Sequence, residues 1–382
     1  MRPTGRPLEE REEDMTWKKE LKDCITTIEQ LEELAPLQPE TRKKLRKVIE
    51  RHPMSITRYY ASIVDWNDPD DPIKRMIVPS TAELDLSGIY DQSGEQQNTR
   101  MQGLQHKYRQ TALILTTNMC AAFCRYCFRK RLVGLPSSEV LSRIDDAVEY
   151  IREHPEINNV LLSGGDPLYL ETAMVRNMID KLSRIEHLDF IRIGTKTPVT
   201  LPSRITGDPG LLQYLEKISR GRKRLFVSTQ FNHSNELTPE ARAAVEALSQ
   251  AGVVTNNQTV LMRGVNDDPR TLADLQRKLT AIGAIPYYVF QCRPVKRAKK
   301  FFQVPLYEGF RTVEAARALL DGYSKRFRYV MSHRDGKIAV TGLDDEYFYF
   351  RFHQARDPKK SGKFFKRRID KKAGWLDDLP PA

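Results

Sequence analysis

Ala112-Leu-Ile-Leu-Thr-Thr117, then Asn118-Met119, then Cys120-Ala-Ala-Phe-Cys124-Arg-Tyr-Cys127: this stretch decides the fold of the 382-residue chain. Its apolar, β-rich first part predicts a strand, and three cysteines follow at once on a short loop. Working outward, further strands are predicted at Asn159 to Ser163, Phe190 to Gly194, Leu225 to Gln230, Val253 to Val260 and Pro286 to Cys292. Between them, helical patterns cover Ser138 to Glu153, Glu171 to Ile185, Pro209 to Ser219, Pro239 to Ala251 and Pro269 to Ile282. Six such βα units imply an α/β fold with a parallel sheet, closed or part-closed as a barrel, with chemistry at the strands' C-terminal ends. The cysteine loop stands at one of those ends.

The chain carries 62 Lys plus Arg against 50 Asp plus Glu, a net charge of +12, with 40% hydrophobic and 29% charged residues. That balance belongs to a soluble globular protein with a sizeable core, and it excludes collagen-like, mucin-like and disordered polar classes. No window approaches the ~18 to 20 uninterrupted apolar residues of a membrane span. Met1 to Asp14 is too charged for the apolar core of a signal peptide, so a cytoplasmic location is expected. Trp17 to Leu34 repeats apolar residues at three- and four-residue steps and predicts one amphipathic helix, with Cys24 as a small core residue. Asp68 to Gln97 reads as loop and connector. Past the sixth strand come a basic loop (Arg293 to Lys300), a helix (Glu308 to Tyr323) and a hairpin (Arg328 to Val340). Between Arg351 and Lys372, ten Lys or Arg face two Asp, so two-thirds of the net charge lies in a compositionally separate tail. The expected organisation is a helical accessory region (1–105), a barrel (106–293), a segment with the hairpin (294–345) and a basic tail (346–382).

Five cysteines, an odd number with three inside eight residues, do not make a disulfide framework. Three thiolates spaced C-x3-C-x2-C can hold three irons of a four-iron four-sulfur cluster and leave the fourth iron open to a substrate or cofactor. Structural zinc, with His106 or Cys292 as fourth ligand, and three inert thiols are the alternatives. Zinc sites usually come as paired knuckles, and no second knuckle exists. Ser163-Gly164-Gly165-Asp166 follows the second strand, where paired glycines permit close backbone approach to a ligand or simply make a βα turn.

The cysteine spacing, placed after the first strand of a βα series, is identified as the signature of the radical S-adenosylmethionine (SAM) superfamily. This implies a partial (β/α)6 barrel of the radical SAM type, with a helical N-terminal region and a C-terminal extension. It also implies that the open iron chelates SAM, which an electron from the cluster cleaves to a 5′-deoxyadenosyl radical. Five segments taken in order narrow the resemblance: Cys124 to Arg131, Ser163 to Asp166, Ile191 to Gly194 with Thr197-Pro-Val199, Phe231 to Glu236, and Asn257 to Asp267. From about residue 100 to 340 the chain resembles the lysine 2,3-aminomutase family. In that family the radical starts a 1,2-amino shift on an amino acid held through pyridoxal phosphate.

The resemblance implies cluster ligation by Cys120, Cys124 and Cys127, and a SAM site formed by Ser163, Gly164, Gly165, Asp166, Gln258 and His233. For His233, a polar helix cap is the plainer reading. Arg129 matches the family arginine that grips the substrate carboxylate, a natural bidentate role for guanidinium. Lys337 aligns with the lysine that carries pyridoxal phosphate, and Tyr108 with a residue beside it, while Lys107 and Thr111 replace family arginines nearby. Read locally, Asp335-Gly336 is a type I′ turn with Lys337 leaving it.

Lysine-acting members pair the substrate's distal ammonium with two aspartates. Arg293 and Val330 stand at those positions, so an acidic or neutral polar amino acid is expected rather than lysine. Arg293 in a solvated basic loop is the alternative. Asp268 replaces a zinc-binding cysteine of some members, and no structural zinc is expected. The expected cofactors are the cluster, SAM and pyridoxal phosphate; the expected partners are the amino acid, a flavodoxin or ferredoxin as electron donor, and further copies of the chain. Two other functions fit parts of the sequence. One is a radical SAM enzyme without pyridoxal phosphate that epimerises or modifies a larger substrate. The other is a nucleic-acid binder using the basic tail with Phe364 and Phe365, against which a merely solvated tail is the commoner outcome.

Overall fold

Twelve strands pair in chain order into one sheet in a computed structural model that describes residues 16–221 and 223–382. They are β1 (Thr99–Met101), β2 (Leu104–Tyr108), β3 (Thr111–Thr117), β4 (Asn159–Gly164), β5 (Phe190–Gly194), β6 (Arg224–Thr229), β7 (Val254–Leu261), β8 (Ile285–Gln291), β9 (Arg328–His333), β10 (Gly336–Leu343), β11 (Tyr347–Ala355) and β12 (Phe364–Arg368). Strands β3 to β9 run parallel; β1 to β3 at one end and β9 to β12 at the other are antiparallel. The first and last strands do not pair, so the barrel is partial. All six expected strands form, each within one residue of its expected ends.

Alternation along the strands separates two environments. Ile114, Leu162, Ile193 and Val227 face outward into a core closed by Val148, Ile179, Leu215 and Leu248 of the covering helices. Their neighbours Leu113, Leu161, Arg192 and Phe226 face inward and line a cavity. The βα arrangement thus places the polar inward positions of the parallel strands around one space.

Three local expectations change. The single helix over Trp17 to Leu34 is two, Thr16–Lys22 and Ile28–Glu32. Between them Ile25 exchanges backbone hydrogen bonds with Ile56, and Thr27 caps the second helix in a capping box with Gln30. The helix expected from Ser138 begins at Ile144, because the Leu141 amide donates to the Leu115 carbonyl (2.8 Å) instead of to the helix, and residues 138–140 form a turn and bend. The connector Asp68 to Gln97 contains a buried helix, Pro72–Ile77, and the short helical turns Thr81–Leu84 and Glu95–Asn98.

The basic tail does not hang free. β11 pairs with both β10 and β12, burying Phe348 and Phe350, and Trp375 is also buried. Phe365 stacks on Phe350 (5.3 Å), so only Phe364 of the two candidate stacking residues points outward. The basic residues of β12 line an outer edge, a usual defence against edge-to-edge pairing. Among the described residues no helix is long and apolar enough to cross a membrane.

Candidate active site

The cavity enclosed by the sheet has a volume of about 630 Å3 and is lined by residues from every strand between β2 and β11 and by the cysteine loop. Of the residues expected to hold the cluster, SAM, pyridoxal phosphate or substrate, Cys120, Cys124, Cys127, Ser163, Gly164, Gly165, Asp166, Gln258, Tyr108, Arg129, Arg293 and Lys337 line it, and His233 and Val330 do not. The His233 ring instead accepts from the Asn235 amide (3.2 Å) and caps the turn Ser234–Glu236. The plainer reading of that residue therefore describes its position, and the structure does not bring it to the site.

Cys120, Cys124 and Cys127 all face the cavity and none is in a disulfide. Burial raises the thiols of Cys120 and Cys127, the latter to about 11. Among the described residues, no three His, Cys, Asp or Glu groups gather tightly enough for one metal ion. His106, a candidate fourth zinc ligand, is engaged elsewhere with Tyr150 Oη (3.0 Å) and the Arg109 carbonyl (3.1 Å). Asp268 caps helix Pro269–Ala281 through the Thr271 amide (2.9 Å).

The loop's shape is imposed from both sides. Gly164 and Gly165 pack on the backbone just before Cys120: the Gly165 amide donates to Thr117 O (2.5 Å) and the Asp166 amide to Met119 O (2.8 Å). A Cβ on either glycine would collide with one of those carbonyls, and Gly164 also adopts φ +126°, so both positions require glycine. The Asp166 carboxylate is buried and accepts from Thr195 Oγ1 (2.7 and 2.8 Å) and from the Lys196 (2.8 Å) and Leu168 (3.0 Å) amides. On the other side, the Cys-flanking Tyr126 hydroxyl accepts from Asn232 Nδ2 (2.7 Å) and Lys196 Nζ (3.1 Å), and that amine also donates to buried Glu236 (2.8 Å).

Opposite the cysteines the wall is cationic. Arg129 donates from Nε to Glu95 Oε1 (2.9 Å), with Nη2 in ion-pair range of the same oxygen (2.9 Å), and from Nη1 to Ser163 Oγ (2.9 Å) and Gly164 O (3.0 Å). Three of a guanidinium's five N–H groups are thus engaged, leaving those of Nη2. Arg293 stacks on Phe128 (3.9 Å) and donates to Ser93 Oγ (2.8 Å); burial lowers it to about 10 despite Glu95 nearby. It therefore faces the cavity instead of forming part of a solvated loop. Val330 is buried against Tyr288 and Ala339 and lies outside the lining.

Lys337 is the first inward residue of β10. The hairpin loop is Arg334-Asp335, since Gly336 already pairs with His333, one residue earlier than the sequence suggests. Its amine lies over the rings of Tyr288 (4.3 Å) and Phe290 (5.6 Å) with no carboxylate partner among the described residues. Burial, followed by Arg192, Arg293 and Lys107, lowers it to about 7.

Residues 114–275 match the Radical SAM superfamily. A protein of Aquifex aeolicus named "Putative L-lysine 2,3-aminomutase" is 44% identical over 340 residues, covering 89% of this chain and 91% of its own. The L-lysine 2,3-aminomutase of Clostridium subterminale is 37% identical over 80% of this chain and 73% of its own. The glutamate 2,3-aminomutase of Clostridioides difficile is 34% identical over 81% and 73%. The chain belongs to the lysine 2,3-aminomutase family, as a divergent member. It is an isomerase of the radical SAM type, and a four-iron four-sulfur cluster and SAM follow from that membership.

For an aminomutase-family site, the residues present also suit pyridoxal phosphate. An amine near neutrality with no counter-ion can act as a nucleophile, and unpaired cations stand beside it for a phosphate. Lys107 is a weak candidate for the phosphate because its amine already donates to the His333 (2.5 Å) and Ser93 (3.3 Å) carbonyls. Thr111 is engaged with Asn159. Arg192 on β5 meets Asn159 Oδ1 (2.7 Å), and its buried Nε has no partner among the described residues.

Arg192, Glu95 and Ser93 were not expected from the sequence. A lone arginine at an inward position of Ile191-Arg-Ile-Gly194 is a usable signal. Glu95 and Ser93 lie in an aperiodic connector and give none.

Proposed function

We propose that this chain is an amino acid 2,3-aminomutase acting on a substrate with an acidic or neutral polar side chain rather than lysine, with pyridoxal phosphate held by Lys337. The charge of the cavity carries this reading. Arg293 faces it with one protein acceptor. The two carboxylates on its wall are already taken, Glu95 by Arg129 and Arg131 and Asp166 by Thr195 and backbone amides. A substrate ammonium would find no free anion there, whereas a side-chain carboxylate would find a guanidinium with donors to spare.

In this reading Cys120, Cys124 and Cys127 hold three irons, and Ser163, Gly164, Gly165, Asp166 and Gln258 surround SAM. When bound, the cluster and SAM supply the radical, and pyridoxal phosphate supplies the conjugated ring that lets the amino group pass from carbon 2 to carbon 3. Arg129 offers its Nη2 to the α-carboxylate, Arg192 offers its Nε to the phosphate, and Tyr108 lies beside the ring. A cytoplasmic location and a flavodoxin or ferredoxin donor complete the proposal, because the cluster needs a low-potential electron.

The test is anaerobic incubation of the reconstituted enzyme with SAM, pyridoxal phosphate and a panel of amino acids, followed by analysis for β-amino isomers. Isomers of acidic or neutral polar amino acids are expected. Lysine as the preferred substrate overturns the substrate class. Net consumption of SAM without any isomer favours a radical enzyme that does not use pyridoxal phosphate.

A further inference from the structure

A second cavity, of about 560 Å3, opens on β9, β10 and β11 beside the turn Ser361-Gly362. Its base is built from the small residues of β10, Ala339 and Thr341, which lie between two strands carrying arginines, β9 with Arg328 and β11 with Arg351. Arg317 and His353 complete the polar wall, and among the described residues no Asp or Glu lines it.

The cations are poorly compensated. Arg328 and Arg351 form no ion pair among the described residues, and Arg351 only stacks against Phe364 (5.3 Å). Arg317 is aimed by Glu314 (2.5 Å) and the Phe327 carbonyl (2.8 Å), and its buried Nε has no partner. His353 accepts from or donates to Tyr288 Oη (2.8 Å). Its imidazole is lowered to about 4, first by burial and then by Arg328, Lys337 and Arg351.

Arg328 and Arg351 are both exposed and flank β10, one from β9 and one from β11, so an anion lying over β10 is within the field of both. Guanidinium forks suit planar or tetrahedral oxyanions through paired N–H donors. The volume is within the range of small-ligand pockets.

We propose that this second cavity, outside the active site, binds a small multivalent oxyanion between Arg328 and Arg351, over Ala339 and Thr341, with Arg317 as a third contact. Tyr288, which bonds His353 and underlies Lys337, and Tyr329, whose hydroxyl donates to Gln291 Oε1 (2.6 Å), connect it to the active-site cavity.

Calorimetric titration of the full chain with sodium pyrophosphate tests this, in an Arg192→Gln, Arg293→Gln background that weakens anion binding by the active-site cavity. One saturable site is expected. It should weaken at least tenfold when Arg328→Gln and Arg351→Gln are added, and equally with Thr341→Glu alone, which places a carboxylate in the cavity without removing an arginine. Citrate in place of pyrophosphate distinguishes ligands: binding of both supports a general polyanion site, and binding of pyrophosphate alone a phosphorylated one. Absence of binding, or binding undiminished by Thr341→Glu, overturns the proposal even if the double arginine variant fails to fold.

Discussion

Arg125, which lies between two cysteines of the loop, donates from Nε (2.8 Å) and Nη2 (2.7 Å) to the two oxygens of Glu83, and both side chains are almost wholly withdrawn from solvent. The same guanidinium reaches the Pro53 (2.8 Å) and His52 (3.2 Å) carbonyls, and Lys130 Nζ adds a second cation to Glu83 (2.6 Å). Burial alone would raise the Glu83 carboxyl, but the two cations outweigh it and hold it at about 2. Lys130 is itself lowered to about 8, because burial and the Arg125 charge exceed its share of Glu83. One carboxylate serving two cations gains more than the second cation does, so the bidentate Arg125–Glu83 half is the clamp.

Glu83→Ala should therefore destabilise the protein by about 3–5 kcal/mol, the usual consequence of leaving buried charge uncompensated. Thermal melting checks this, and iron content after reconstitution should fall with it. The pH sign follows from a lowered carboxylate. Glu83's contribution is complete above its ordinary value of 4.5 and is lost as pH falls towards about 2.

For Lys337, a visible absorbance band should form on adding pyridoxal phosphate and be absent in Lys337→Ala, with iron content unchanged. A lowered amine is mostly neutral above its value, so band formation should rise through pH of about 7 and level off above it. A midpoint near that of an ordinary lysine would contradict the environment described.

Substituting Arg293→Asp should reduce kcat/KM for an acidic substrate on the order of a hundredfold, corresponding to about 2–3 kcal/mol, and raise relative activity towards lysine. Unchanged ranking among amino acids would remove Arg293 from substrate selection.

Glu95→Gln tests a positioning role. The amide keeps one acceptor for Arg129 but loses the charge that orients it, so KM should rise roughly tenfold with kcat less affected. Iron content and melting temperature should stay close to wild type. A loss of folding in proportion to activity would make Glu95 merely structural.

Much of the barrel was legible because its signals are local. Val160 and Leu162 alternate with inward positions, and proline and capping residues mark helix starts such as Pro209 and Pro239. The cysteine loop was legible because its spacing is itself the chemistry. The clamp was not, since Glu83 and Arg125 are 42 residues apart and only tertiary packing brings them together. The tail misled for a related reason: charge density masked the alternation of Phe348, Phe350 and Phe352 along β11, where bulges in the pairing with β10 break the strict period. Glu95 lay in a segment whose order comes from contacts with Arg129 and Arg131, not from any pattern of its own.

The pairing of each strand with its predecessor has a consequence for biosynthesis. His52, Pro53, Glu83, Arg125 and Lys130 are all translated within the first 130 residues, so the clamp that shapes the cysteine loop exists early on the nascent chain. Lys337 emerges 207 residues after Lys130, a delay of about 10–40 s at ordinary elongation rates. The clamp side of the cysteine loop is thus synthesised before Gly164, Gly165, Lys196 and Asn232, which hold the loop's other side, and all of them precede Lys337.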